Sequence, residues 1–144
     1  MARMKIKLPK HWQFSHEIEV RVTDLNYGNH LANQQFLAFA QEARLKFFKK
    51  FGYSELNFGG VSLIQADAAI TFKGEGHLAD SIKIEVSAVQ SGGSSFNVFY
   101  KFWNNTTNLL MAQIRTALVC YNYETGKPVP MPKEVIKSGV FLSI

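Results

Sequence analysis

One long helix laid against an antiparallel sheet, an α+β two-layer domain, is the fold class this sequence predicts. Three observations carry it. A strand pattern near the N-terminus gives way at Asn33 to about 18 residues of helical periodicity. Four further stretches of strand character follow, separated by short turns rich in Gly, Asn and Ser. Those later strands are apolar enough to wrap the helix. With 144 residues, 47% hydrophobic residues and twelve Phe, residues 1–144 suffice for one packed domain.

In chain order, residues 1–15 read as a loosely held arm. Residues 16–23 alternate, with Ile18, Val20 and Val22 on one face and Glu17, Glu19 and Arg21 on the other, which is a half-buried strand. A polar turn follows, Asp24-Leu25-Asn26-Tyr27-Gly28-Asn29-His30. In the helix beyond it, Phe36, Leu37, Phe39, Ala40, Ala43, Phe47, Phe48 and Phe51 share one broad face, with Asn29 and Asn33 as candidate caps. Gly52 stands where a helix-ending glycine belongs, and Lys46, Lys49 and Lys50 suit the negative helix end. After a loop at 53–60, strands are expected at 61–73, 81–90, 96–103 and 109–123. Consecutive strands with tight turns imply a meander. Residues 96–103 and 109–123 are apolar on both faces in part, so a second cover is expected, supplied by a homodimer or homotetramer.

Composition removes several classes of function. The net charge is +5, but no basic run interleaves with aromatics, and no zinc-finger or helix-turn-helix pattern occurs, so no nucleic-acid partner is expected. No apolar run approaches the roughly 20 residues that span a bilayer. The N-terminus lacks the apolar core of a secretory signal, and Cys120 is the only cysteine, so a reducing, cytoplasmic setting is expected. A small phosphorylated ligand needs only a few cations and fits the charge.

The polar turn concentrates the chemistry, and it delivers unpaired N–H groups at a helix N-terminus. The pattern Asp24-Leu25-Asn26, then His30 and Asn33, a helix containing Glu42-Ala43-Arg44, and a final Glu124-Thr125-Gly126-Lys127-Pro128 resemble the hot-dog-fold acyl thioesterases. The likeness is strongest to the 4-hydroxybenzoyl-CoA thioesterase-like acyl-CoA thioesterases, and it extends to the plant acyl-ACP thioesterases. It covers residues 17–132. It implies a curved five-stranded antiparallel sheet around one long helix, sites at a subunit interface, and hydrolysis of an acyl-CoA or acyl-ACP thioester without a cofactor or metal.

The resemblance also implies site residues. The usual acid lies four residues before the turn histidine, and Asn26 stands there; an amide orients water or donates a hydrogen bond but is no base. His30 matches the turn histidine, Asn33 the asparagine beyond it, and Glu42 a helix acid that activates water in some members. Asp24 is an acid in a nearby place. Catalytic candidates are thus Asp24, Asn26, His30 and Glu42. Gly28, which permits close backbone approach, Asn29 and Asn33 are substrate-binding candidates.

Each has a plainer reading: a strand-end cap for Asp24, Asx-turn chemistry for Asn26 and Asn29, a hydrogen bond at the helix start for His30, and an exposed pair with Lys46 for Glu42. Arg44 falls among apolar positions, so either its stem snorkels or it pairs with a buried acid such as Asp67 or Asp80. His11, His16 and His77 show no metal spacing, Gly74-x-Gly76 is no phosphate loop, and Ser94, Ser95 and Cys120 lack a nucleophile-elbow context. Two other functions share the fold: a non-catalytic acyl-CoA or acyl-ACP binding module, favoured by Asn26, and an enoyl-CoA hydratase or dehydratase.

Overall fold

A computed structural model describes residues 3–143. Helix α1, Asn33–Lys50, lies across a six-stranded antiparallel sheet. The strands are β1 (Phe14–Glu19), β2 (Ser62–Phe72), β3 (Ser81–Gln90), β4 (Ser95–Asn104), β5 (Leu109–Asn122) and the two-residue β6 (Lys127–Pro128). A short helix α2, Lys133–Lys137, follows.

Spatial order is β1-β3-β4-β5-β2, with β6 on β5. The meander is therefore three strands long, β3 to β5, and not four as chain order suggests. The 14-residue β5 is long enough to pair with β4 on one side and β2 on the other. The β2–β3 connection must then cross from one edge of the sheet towards the other. On the way Leu31 N–H donates to Gly76 O at 2.7 Å, so the connection runs against the polar turn. Register shifts at Gln65/Asp67 and Phe102/Trp103 bend the sheet around the helix.

Strand alternation sets the core. Ile82, Ile84 and Val86 of β3, Phe96, Val98, Tyr100 and Phe102 of β4, and Ile114 and Leu118 of β5 are buried against Phe36, Phe39, Phe47 and Phe48 of α1. Phe58 stacks on Phe96 with centroids 5.3 Å apart, and Phe141 packs on Phe96 at 5.0 Å. The C-terminal segment thus joins the core, which its short polar-flanked sequence does not signal.

Three expectations change here. Residues 3–13 are a held arm: Ser87 Oγ donates to His11 O at 2.7 Å and Gln13 N–H to Val86 O at 3.0 Å. The arm runs over Phe99 and Val89, so the second cover for the outer sheet face is partly the chain itself. The first strand ends at Glu19, and Val22–Asp24 forms a 3-10 turn that leaves Val22 exposed.

The C-terminal end of α1 agrees with the sequence. Gly52 has φ +80°, its N–H donates to Lys49 O, and Tyr53 N–H donates to Phe48 O. This is the six-to-one, five-to-two bonding of a Schellman end. Gly52→Ala forces a side chain into left-handed backbone and is expected to cost about 1–2 kcal/mol in urea unfolding.

Candidate functional site

The turn at 24–33 is a closed loop. Leu25 bridges Leu31, Asn26 N–H donates to His30 O at 2.8 Å, and Asn29 N–H donates to Asn26 O at 3.0 Å. The Asn26 Oδ1 accepts both Gly28 N–H (2.9 Å) and His30 N–H (3.1 Å). Asn26 is therefore the internal brace of the turn, and Gly28 spends its N–H there too. Asn29 sits at φ +63°, the left-handed conformation its type tolerates. For these three positions turn chemistry accounts for the residue types.

Asp24 is fully buried, and its carboxylate accepts the Arg21 backbone N–H at 2.8 Å and the guanidinium at 3.2 and 3.1 Å. Burial alone would raise its pKa, but the Arg21 side chain and backbone N–H outweigh it and hold the carboxyl below its ordinary 3.8. A carboxylate so stabilised and so enclosed is a poor base. Because the folded value is depressed, its stabilising contribution is complete above the unfolded pKa and is lost as pH falls through the folded one. Asp24→Asn is expected to flatten the fall in Tm below pH 3.8, measured against the wild type across that window.

Neither expected asparagine caps α1. Ala32 occupies the N-cap position with no side-chain hydrogen bond, and Asn33 is the first helical residue, exposed. No side chain caps this turn; Gln35 N–H donates to Ala32 O at 2.9 Å, and the Asn33 and Gln34 N–H groups carry the positive end of the helix dipole.

His30 lies three residues before this helix start, its side chain 41% exposed. Its Nε2 is 3.5 Å from Glu75 Oε2. The His77 ring meets the His30 ring edge-on at 5.0 Å, and His77 Nε2 is 3.9 Å from the same Glu75 oxygen. The three ligand-type atoms of His30, Glu75 and His77 lie within 4.8 Å of one another. Behind them, Asp80 Oδ2 accepts His77 N–H (2.9 Å) and the Nδ2 of buried Asn104 (2.8 Å). The sequence does not announce Glu75 and His77 as neighbours of His30; they lie 45 and 47 positions beyond it. Only the crossing connection brings them to the turn, and no local spacing announces that. Gly76 makes the approach possible: a Cβ there would stand 2.9 Å from Met111 Cε and 3.1 Å from Leu31 Cβ.

Glu42 belongs elsewhere. Its Oε2 is 2.6 Å from His16 Nε2 on β1, so its side-chain partner is His16 and not Lys46. Nine helical residues from Asn33 place it roughly 13 Å along the axis from the helix start. Arg44 pairs with neither expected acid. Its Nε donates to Glu55 Oε1 at 2.6 Å, and its Nη1 donates to the Tyr100 hydroxyl at 2.9 Å. Asp67 binds Arg115 instead, at 2.8 Å. Burial alone would lower the Arg44 pKa, but Tyr100 and Glu55 outweigh it. Cys120 is buried, and burial pushes its thiol up to about 11, which removes it as a nucleophile.

The profile of the thioesterase-like superfamily matches residues 20–138. The chain belongs to that superfamily. Thioesterase chemistry and the hot-dog architecture, both expected from the turn-and-helix pattern, are those of the group. This thioesterase-like chain superimposes on a 1,4-dihydroxy-2-naphthoyl-CoA thioesterase from Synechocystis with a TM-score of 0.80 at 23% identity, covering 87% of this chain and 93% of that one. It superimposes on a thioesterase from Thermus thermophilus, solved with coenzyme A and Zn, with a TM-score of 0.77 at 22% identity, covering 89% and 98%. For a DHNA-CoA thioesterase from Staphylococcus aureus the TM-score is 0.76 at 18% identity, covering 85% and 83%. No curated protein sequence matches the chain.

Proposed function

We propose that this protein is a single hot-dog domain that hydrolyses an acyl thioester of coenzyme A, or of acyl carrier protein, at the junction of the polar turn and α1. The observation that carries this is the pairing of His30 and Glu75 beside an uncapped helix N-terminus. Hydrolysis needs a group that takes a proton from water and a donor set for the oxygen that becomes negative. The His30 imidazole, oriented by the Glu75 carboxylate, serves as the base. The Asn33 and Gln34 N–H groups at the start of α1 receive the thioester oxygen, as helix N-termini receive anions generally. Water adds to the thioester carbon while its proton passes to His30. The C–S bond then breaks, and the leaving thiolate takes that proton back. Asn26, Gly28 and Asn29 hold the turn's shape, Asn33 stands at the mouth, and Asp24 anchors the turn to Arg21.

The tight His16–Glu42 pair supports a second placement of the base, with His16 and Glu42 receiving a thioester bound further along α1. Thiol release from an acyl-CoA panel separates the two. His30→Ala lowers turnover by orders of magnitude and Glu42→Gln leaves it under the first placement; the reverse outcome favours the second. Asn26→Asp keeps the accepting oxygen and is expected to leave the rate unchanged.

The protein acts as a homodimer. β2 is an 11-residue strand paired only with β5 among the described residues, and it carries Ile64, Ala66, Ala68 and Ile70 without proline or lysine. Long unpaired edges of this kind invite strand pairing. Leu37, expected on the buried face of α1, is instead exposed, and so is Leu45. Light scattering should return twice the 16.3 kDa chain mass. No helix among the described residues is long and apolar enough to cross a membrane, and a cytoplasmic location fits the single buried thiol.

A further inference from the structure

The cluster behind the turn has more donors than hydrolysis requires. His77 takes no part in the reaction above, yet its Nε2 faces the same Glu75 oxygen as His30 does. We propose that His30, Glu75 and His77 bind a divalent transition-metal ion of the Zn2+ or Co2+ kind.

Donor chemistry favours this class of ion: two imidazole nitrogens and one carboxylate oxygen suit borderline metals, whereas Mg2+ and Ca2+ prefer all-oxygen sets. The spacing is close to what such an ion needs. In a tetrahedral site with bonds of ~2.0–2.1 Å, neighbouring ligand atoms stand about 3.3 Å apart. Here the two nitrogen–oxygen separations are 3.5 and 3.9 Å, and all three side chains are free to close by rotation because each is partly exposed. A supporting carboxylate is already present. Asp80 Oδ2 lies 3.8 Å from His77 Nδ1, the nitrogen that a metal on Nε2 leaves protonated. Asp80 is itself fixed by Asn104 at 2.8 Å. Carboxylates behind ligating histidines orient the ring and strengthen the ligand. Three protein ligands leave the fourth position for water or another small ligand.

Binding and hydrolysis are separable consequences of one cluster. The ion takes the Glu75 carboxylate and the His30 Nε2 that Glu75 faces, so loading it removes the group that orients the proposed base and is expected to inhibit hydrolysis if that reading is right. The metal site itself does not depend on it.

The test is Co2+ titration of untagged, metal-stripped full-length protein, followed by its visible absorption. The expected result is a saturable d–d band at one equivalent per chain. It is displaced by Zn2+, lost in His77→Ala and in His30→Ala, and retained in His16→Ala. Circular dichroism of each variant verifies that it folds. Absence of the band in the folded wild type, or its persistence in both His77→Ala and His30→Ala, overturns the proposal. Acyl-CoA hydrolysis measured in the same titration tests the other reading. If Co2+ binds as expected and an observed hydrolysis rate does not change, His30 is not the base, and the metal site stands. If no band forms and hydrolysis is lost only in His30→Ala, the hydrolytic reading stands alone.

Discussion

His30→Ala is expected to lower kcat for acyl-CoA hydrolysis by about 10²–10⁴-fold, the range over which a positioned acid–base group contributes. The fold should hardly notice. The His30 ring is 41% exposed, and substitutions at such sites usually stay within about 0.5 kcal/mol. A large kinetic loss with an unmoved Tm is the signature of chemistry, whereas a parallel fall in both would show that His30 serves the turn. The backbone of residue 30 already holds the loop through Asn26, so alanine keeps those hydrogen bonds. Glu75→Gln should give a smaller loss, because an amide still orients the imidazole but cannot stabilise its cation. A rise in kcat for Asn26→Asp would contradict this assignment. It would mean that position 26 reaches the thioester and lacks only a charge.

Arg44→Ala is expected to be the most destabilising change of a charged residue. Arg44 is 4% exposed and serves Glu55 and Tyr100 at once, and the Tyr100 hydroxyl also contacts Thr116 at 2.7 Å. Removing one partner of a buried pair leaves the other uncompensated and costs about 3–5 kcal/mol. For a chain of this size that corresponds to a fall in Tm on the order of 10 °C. Arg44→Lys should recover only part, since an ammonium cannot reach both partners with the same fork. Arg44→Met combined with Glu55→Gln should cost less than the two single changes added, because neither charge is then stranded. Additive losses in that cycle would show that the two side chains do not depend on each other.

The architecture is legible because its signals are local. The change from alternation to helical period at Asn33, the glycine at 52 and the turns at 91–94 and 104–108 each act within a few residues. The polar turn stands out for the same reason. What stays hidden is set by distant pairing. Nothing near β2 says that it leaves the meander to pair with β5, and that single departure brings Glu75 and His77 to His30. The partner of Arg44 is hidden in the same way. Periodicity shows that it points into the core, but Asp67, Asp80 and Glu55 cannot be told apart until the loop at 53–60 is placed. Asp24 and Asn26 look chemically capable in a sequence and prove to be occupied: one by Arg21, the other by the backbone of its own turn. Their residue types are readable, but their commitments are not.

Hydrolysis at the polar turn is tested most directly by the rate of free-thiol release by the wild-type protein from short, medium, long and aromatic acyl-CoAs, with His30→Ala assayed beside it. Turnover of at least one acyl class, lost in a folded His30→Ala variant, is the predicted result. Absence of turnover across the whole panel by folded protein would contradict it, and undiminished turnover by His30→Ala would remove the turn as its seat.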